Sequence, residues 1–136
     1  MRLDPVLVEN TRAWLLKAAG DLRAAEVDLG VDPPLLDDAM FHCQQAVEKS
    51  MKGFLIRHDR PFRRTHSLAE LAAQCGEIDA SLGDALSAAG YLTNYAWEYR
   101  YPGEPAPDAD EVRRAIALAR RVHAEVLARL PSGMRP

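Results

Sequence analysis

Apolar positions along this chain recur every three or four residues in blocks, and prolines fall between the blocks rather than inside them. Asp4-Pro5 reads as an N-cap followed by proline at the first helical position. From there Trp14, Leu15, Ala18, Leu22, Ala25 and Leu29 line one face of a first helix. Pro33-Pro34 opens a second, with Leu36, Met40, Cys43, Val47, Met51 (or Ser50) and Phe54 on its seam to about His58. Ser67-Leu-Ala-Glu70 is a capping box and predicts a short third helix ending near Gly76. Leu82, Ala85, Ala89, Leu92, Ala96 and Tyr99 predict one long fourth helix, stopped by Pro102-Gly103. A second capping box, Asp108-Ala-Asp-Glu111, opens a fifth, with Val112, Ile116, Ala119, Val122, Val126 and Leu130 facing inward. No block alternates as a strand would.

Short connections between amphipathic helices predict an all-α, up-and-down antiparallel bundle of four long helices plus one short helix, filling residues 1–136 as a single domain. Alternating directions put the loop from Arg57 to His66 and the helix end at Arg100-Tyr101 at one end of the bundle. Lys49 and Lys52 then lie two or three turns below that end.

Composition narrows the function. With 136 residues and 48 % hydrophobic content there is ample material for a core. The net charge of −3 means that any basic site must be local. Cys43 and Cys75 are far apart and match no metal-ligand spacing; Cys43 reads as a packed thiol. Free thiols, no signal-like N-terminus and no apolar run near 18 residues point to a cytoplasmic protein without a membrane span.

The polar chemistry concentrates in a few places. Gln44, Gln45, Glu48, Lys49 and Lys52 form a strip beside the second helix's apolar seam. Gln45, Lys49 and Lys52 are expected on one face, and Gln44 with Glu48 on another. Glu48–Lys52 is an i,i+4 pair that reads either as a surface ion pair or as part of a polar groove bordering the core. The segment 57–66 holds Arg57, Arg60, Arg63 and Arg64, with His58 and His66, against the single acid Asp59. It fits a solvated loop complementing a helix dipole, or a patch for phosphate, nucleotide or RNA backbone. Tyr91, Tyr95 and Tyr99, with Trp97, fit a core boundary, a dimer interface or a base-stacking platform. Arg113-Arg114 and Arg120-Arg121 make a stripe on the last helix, either solvated or docking an acidic partner. No Gly-rich phosphate loop, metal-spaced His/Cys/Asp/Glu group or familiar nucleophile stands out. Metal ligands and cofactors are therefore not expected, and any enzymatic step falls to Arg, His, Lys, Glu and Tyr.

The run Phe41-His42-Cys43-Gln44-Gln45-Ala46-Val47-Glu48-Lys49-Ser50-Met51-Lys52-Gly53, then Thr65-His66-Ser67-Leu68 and Arg100-Tyr101-Pro102, resembles the HEPN domain (higher eukaryotes and prokaryotes nucleotide-binding). The segment Lys17-Ala18-Ala19-Gly20-Asp21-Leu22-Arg23-Ala24-Ala25-Glu26 is similar to that family's first helix. The resemblance runs from about residue 10 to 130 and implies a helical bundle, commonly a homodimer. Many prokaryotic members act with a separately encoded minimal nucleotidyltransferase in two-component, often toxin–antitoxin, systems. Many HEPN proteins are metal-independent RNases whose signature is an arginine and a histidine separated by four to six residues, usually on a late helix. Here that spacing, with the arginine first, occurs only at Arg60–His66, across Pro61 in a predicted loop. The positions that match are Gln45, Glu48, Lys49, Lys52, His66, Arg100 and Tyr101. The expectation is a subunit binding a nucleotide or RNA phosphate, with Arg100 and His66 as candidate catalytic groups. Gln45, Glu48, Lys49, Lys52, Arg60, Arg63, Arg64 and Tyr101 are its candidate ligand-binding groups. An RNase toxin and a non-catalytic dimerisation module are the alternatives.

Overall fold

The computed structural model describes residues 3–62, 67–93, 102–103 and 105–136. Helix α1 spans Pro5–Gly30; the Asp4 carboxylate accepts from the Val6 N–H, and Pro5 occupies the first turn. Its buried face, Thr11, Leu15, Ala18, Leu22, Ala25 and Asp28, follows the 3-4 spacing of the sequence. The Leu35 N–H then bonds the Asp28 carbonyl at 2.8 Å, folding the connection back so that α2, Leu36–Arg57, runs antiparallel to α1. Asp37 and Asp38 in the first turn of α2 and Arg57 in the last complement its dipole.

Helix α2 is the central rod, packing on α1 and on the two later helices α3 (Leu68–Ile78) and α5 (Ala109–Leu127). It is consequently buried almost all round. Met40, Cys43, Val47, Met51, Phe54 and Leu55 join the core, and Gln44, Glu48, Ser50 and Lys52 are buried with them. Close approach of α1 and α2 depends on Gly53. A Cβ there would collide with the Leu15 side chain and sit 3.3 Å from Trp14 Cβ.

Ser67 caps α3 through the Glu70 N–H, and Asp108 caps α5 through the Glu111 N–H at 2.7 Å. Helix α5 lies antiparallel to α1: Arg120 pairs with Glu26, and His123 Nε2 meets the Leu15 carbonyl at 3.3 Å. Arg129 joins the end of α5 to the residues that follow α3 through Asp79 (3.1 Å) and Ser81 (3.0 Å).

The expected long fourth helix from Leu82 to Tyr99 is not one rod. Asp79 closes α3 and caps a separate short helix, α4, Ala80–Leu86, through the Leu82 N–H. A 3₁₀ turn, Ser87–Ala89, follows, then Gly90. The Ser87 hydroxyl donates to the Asp84 carbonyl at 2.8 Å, and the ladder tightens here. Apolar spacing could not reveal this break. The residues actually buried are Leu82, Leu86, Ala89 and Leu92, and intervals of three and four suit a 3₁₀ turn as well as an α-helix. Gly76 and Gly83 let α3 and α4 touch backbone to backbone: a Cβ on Gly83 would lie 2.7 Å from Gly76 Cα. Tyr95, Ala96, Trp97 and Tyr99, expected on that helix, lie outside the described residues.

The all-α class holds: the described residues form five helices and two 3₁₀ turns with no strand. No helix among them is long and apolar enough to cross a membrane. Cys43 and Cys75 are fully buried, and burial pushes both thiols up to about 12.

Candidate functional site

The polar strip of α2 is not a surface feature. Gln45 Nε2 donates to Gln44 Oε1 at 2.8 Å, Gln44 Nε2 donates to Glu48 Oε1 at 3.3 Å, and Lys52 Nζ donates to Glu48 Oε2 at 3.4 Å. These bonds form one relay along α2. Lys52 and Glu48 side chains are only 11 % and 5 % exposed, so the surface-ion-pair reading of this pair fails. Removing two charges from water costs several kcal/mol per ion unless each is well paired. Part of the offset is aromatic: Lys52 Nζ lies 5.7 Å from the Trp14 ring centroid and 5.2 Å from that of Phe62. Those two rings pack edge to face at 5.9 Å. Gln45 and Lys52 thus share one relay, whereas Lys49, expected on the same face, pairs across to α1. Lys52 continues the 44–48 row at i,i+4, while Lys49 points elsewhere.

Lys49 Nζ donates to Asp21 Oδ2 at 2.7 Å, from the second helix back to the first. The other Asp21 oxygen lies 2.9 Å from His42 Nδ1, and His42 Nε2 lies 3.5 Å from Asp38 Oδ2. Asp38 in turn meets Asp28, at the end of α1. Burial, followed by contact with the Asp38 carboxyl, raises the Asp28 pKa to about 6, with His42 acting in the opposite sense. One ligand atom each from Asp28, Asp38 and His42 lies within 4.8 Å of the others.

A surface cavity of about 720 Å³ opens beside this network, lined by Lys17, Arg23, Lys49 and Asp21 over Leu16 and Gly20. Three cations face it against one carboxylate, and that carboxylate already binds Lys49 and His42. The local balance is positive in a chain whose net charge is −3.

Of the residues expected to form the site, Gln45, Glu48, Lys49 and Lys52 therefore stand together on α2, in two adjoining networks. Arg60 is exposed just beyond the helix. Arg57 and Arg60 lower the pKa of neighbouring His58, although burial is the larger cause. Arg63, Arg64, His66, Arg100 and Tyr101 lie outside the described residues, and so does the meeting of His66 with Arg100. Nearby, the Leu68 N–H bonds Thr93 Oγ1 at 3.0 Å and ties the start of α3 to that residue. On α5, Arg113 pairs with Asp110 and Arg120 with Glu26, both exposed, as a solvated stripe would.

Sequence reasoning missed Asp21, Asp28, Asp38 and His42 as a group, and the aromatic cover from Trp14 and Phe62. It also found no metal-spaced set, whereas Asp28, Asp38 and His42 do converge. Half of that signal was visible: Asp38 and His42 are four apart on one helix face, the spacing of paired ligands. The third member comes from α1 and required the hairpin register.

Comparison with known proteins agrees with this architecture. No curated protein matches the chain significantly. Its structure is similar to the crystal structure of TT1696 from Thermus thermophilus, with a TM-score of 0.69 and 31 % sequence identity, over 89 % of this chain and 98 % of that one. The HEPN domain model matches residues 11–129, which include every residue of the relay and the groove. The chain belongs to the HEPN domain family.

Proposed function

We propose that this HEPN subunit binds the phosphate of a nucleotide or RNA at the α1–α2 groove and works with a separately encoded minimal nucleotidyltransferase in a two-component, toxin–antitoxin-like system in the cytoplasm. The observation that carries the binding role is the cationic groove: Lys17, Arg23 and Lys49 converge on one cavity above an apolar floor. Oxyanions are held by such convergent donors, and the exposed apolar floor at Leu16 offers contact area to a base or ribose. The buried relay behind it fixes α2, so that Lys49 is presented from a rigid element. Arg100, His66 and Tyr101 belong to the same reading as additional phosphate and base contacts. Homodimerisation is part of it as well.

Isothermal titration of the full chain with ATP and with short RNAs tests the binding role. Saturable heat is expected in the wild type, reduced at least tenfold in affinity by K17A/K49A and by R100A. Absence of heat in the wild type, or equal heat in K17A/K49A, refutes it. Light scattering reads the oligomeric state, and co-purification with the nucleotidyltransferase of a neighbouring gene reads the partnership.

A further inference from the structure

We propose that Asp28, Asp38 and His42 form a binding site for one first-row divalent transition cation, with Asp21 as the positioning residue behind the histidine. The hairpin builds the site. Asp38 and His42 are one turn apart on α2, and Asp28 faces them from the end of α1, where the Asp28 carbonyl also receives the Leu35 N–H. Their ligand atoms lie within 4.8 Å of one another, and the Asp38–His42 edge is 3.5 Å. A tetrahedral cation bound at roughly 2.0–2.2 Å needs edges of about 3.4 Å. One edge is already made, and Asp38, 55 % exposed, is free to close the rest.

Two further observations point to a cation. Asp28 is only 8 % exposed, its carboxyl meets Asp38, and Asp28 Oδ2 has no hydrogen-bond partner among the described residues. A buried carboxylate oxygen with no partner is costly until a positive group meets it. The histidine is also prepared. Asp21 lies 2.9 Å from Nδ1 and its other oxygen is paired with Lys49 at 2.7 Å. It therefore selects the tautomer with hydrogen on Nδ1 and turns the Nε2 lone pair toward Asp38. This is the carboxylate–histidine arrangement that orients metal ligands. The charged groups facing the cluster are Asp21, Asp28 and Asp38 against Lys49, an excess of acid that a dication neutralises. Two carboxylates and an imidazole, without thiolate, favour Zn²⁺ or Mn²⁺ over soft or purely oxygen-seeking ions. Three protein ligands leave at least one coordination position to solvent.

The test uses metal-stripped full-length protein and no nucleotide, which separates it from the phosphate-binding experiment. Zn²⁺ and Mn²⁺ titrations at pH 7.5 should each give one equivalent, with a rise in melting temperature. Co²⁺ should show the visible absorption of a low-symmetry N/O site. D28N and H42Q should weaken binding at least a hundredfold, and D21N ten- to a hundredfold with the stoichiometry unchanged. D28N relieves the carboxylate pair, so its metal-free form should melt at or above the wild-type temperature, which controls for folding. No uptake by the wild type, or uptake unchanged in D28N and H42Q, overturns the proposal. The second result would mean a shared proton holds the carboxyls and the ion binds elsewhere.

Discussion

Gly53 and Gly20 offer a matched test of how α1 and α2 are held together. Both lie inside helices, so replacement by alanine should gain the same intrinsic term, roughly 0.5–1 kcal/mol. Their surroundings differ. Nothing lies within 4 Å of a Cβ added at Gly20, whereas one at Gly53 collides with the Leu15 side chain and sits 3.3 Å from Trp14 Cβ. Leu15 is fully buried, so its side chain yields to a Cβ only by pressing on its core neighbours. Overpacking of this kind costs about 1–3 kcal/mol. G20A should therefore be stabilised by up to about 1 kcal/mol, and G53A should be neutral to destabilised by about 2 kcal/mol. The separation between the two variants, about 1–3 kcal/mol, is free of the propensity term. With a urea m-value of about 2 kcal/mol/M, the unfolding midpoints should differ by about 0.5–1.5 M. Circular dichroism during urea titration reads the midpoints, and tryptophan fluorescence reads the displacement of Trp14. Midpoints agreeing within about 0.2 M would show that the helices do not meet as closely as described.

Other outcomes follow from the buried charges. E48Q leaves Lys52 buried without its carboxylate and should cost about 3 kcal/mol in urea unfolding, whereas E48Q/K52M should recover much of that; a double variant showing the full sum of the single losses refutes the coupling. His123 is held below its ordinary pKa of 6.5 by burial, with the Leu15 carbonyl opposing. The unfolded chain therefore takes up that proton first, so this residue's stabilisation is complete above about pH 6.5 and is lost as pH falls through that value toward the depressed folded one. H123F should lose less stability than the wild type between pH 7 and 5, and identical pH slopes would refute the assignment. Asp28 acts with the opposite sign. Its raised pKa favours the fold as pH falls from about 6 toward the unfolded value near 3.8, so D28N should remove a gain rather than a loss. Cys43 and Cys75 should resist an aromatic disulfide reagent in native buffer and react fully in denaturant, and rapid native labelling would contradict their burial.

The elements legible in the sequence were those with local chemistry. Asp4-Pro5, Ser67 with Glu70 and Asp108 with Glu111 each place a helix start within a residue, because a cap is a bond between near neighbours. The fourth helix was misjudged for the same reason in reverse: Asp79 and Ser87 carry the signals for a new start and a tightened turn, but the apolar repeat overrode them. At the site, the α2 strip was visible as composition, and its membership in two networks was not. Whether Lys49 turns to Asp21 or toward Lys52 depends on the α1–α2 register, which Gly53 sets by admitting Leu15. The pairing of Asp28 with Asp38 likewise needs the backbone bond from Leu35 to Asp28, which no periodicity encodes.

The hairpin of α1 and α2 has a kinetic consequence. Its two long helices are consecutive and joined by a brief connection, so their mutual contacts require little chain entropy to close. Docking of α5 closes a far larger loop, and α4, seven residues long, has scant stability of its own. Amide exchange should accordingly grade across the molecule, slowest in the middle of α2 and fastest in α4 and the turn after it. The groove and the carboxylate–histidine cluster both sit on the slow half, so whatever they hold rests on the part of the bundle that opens last.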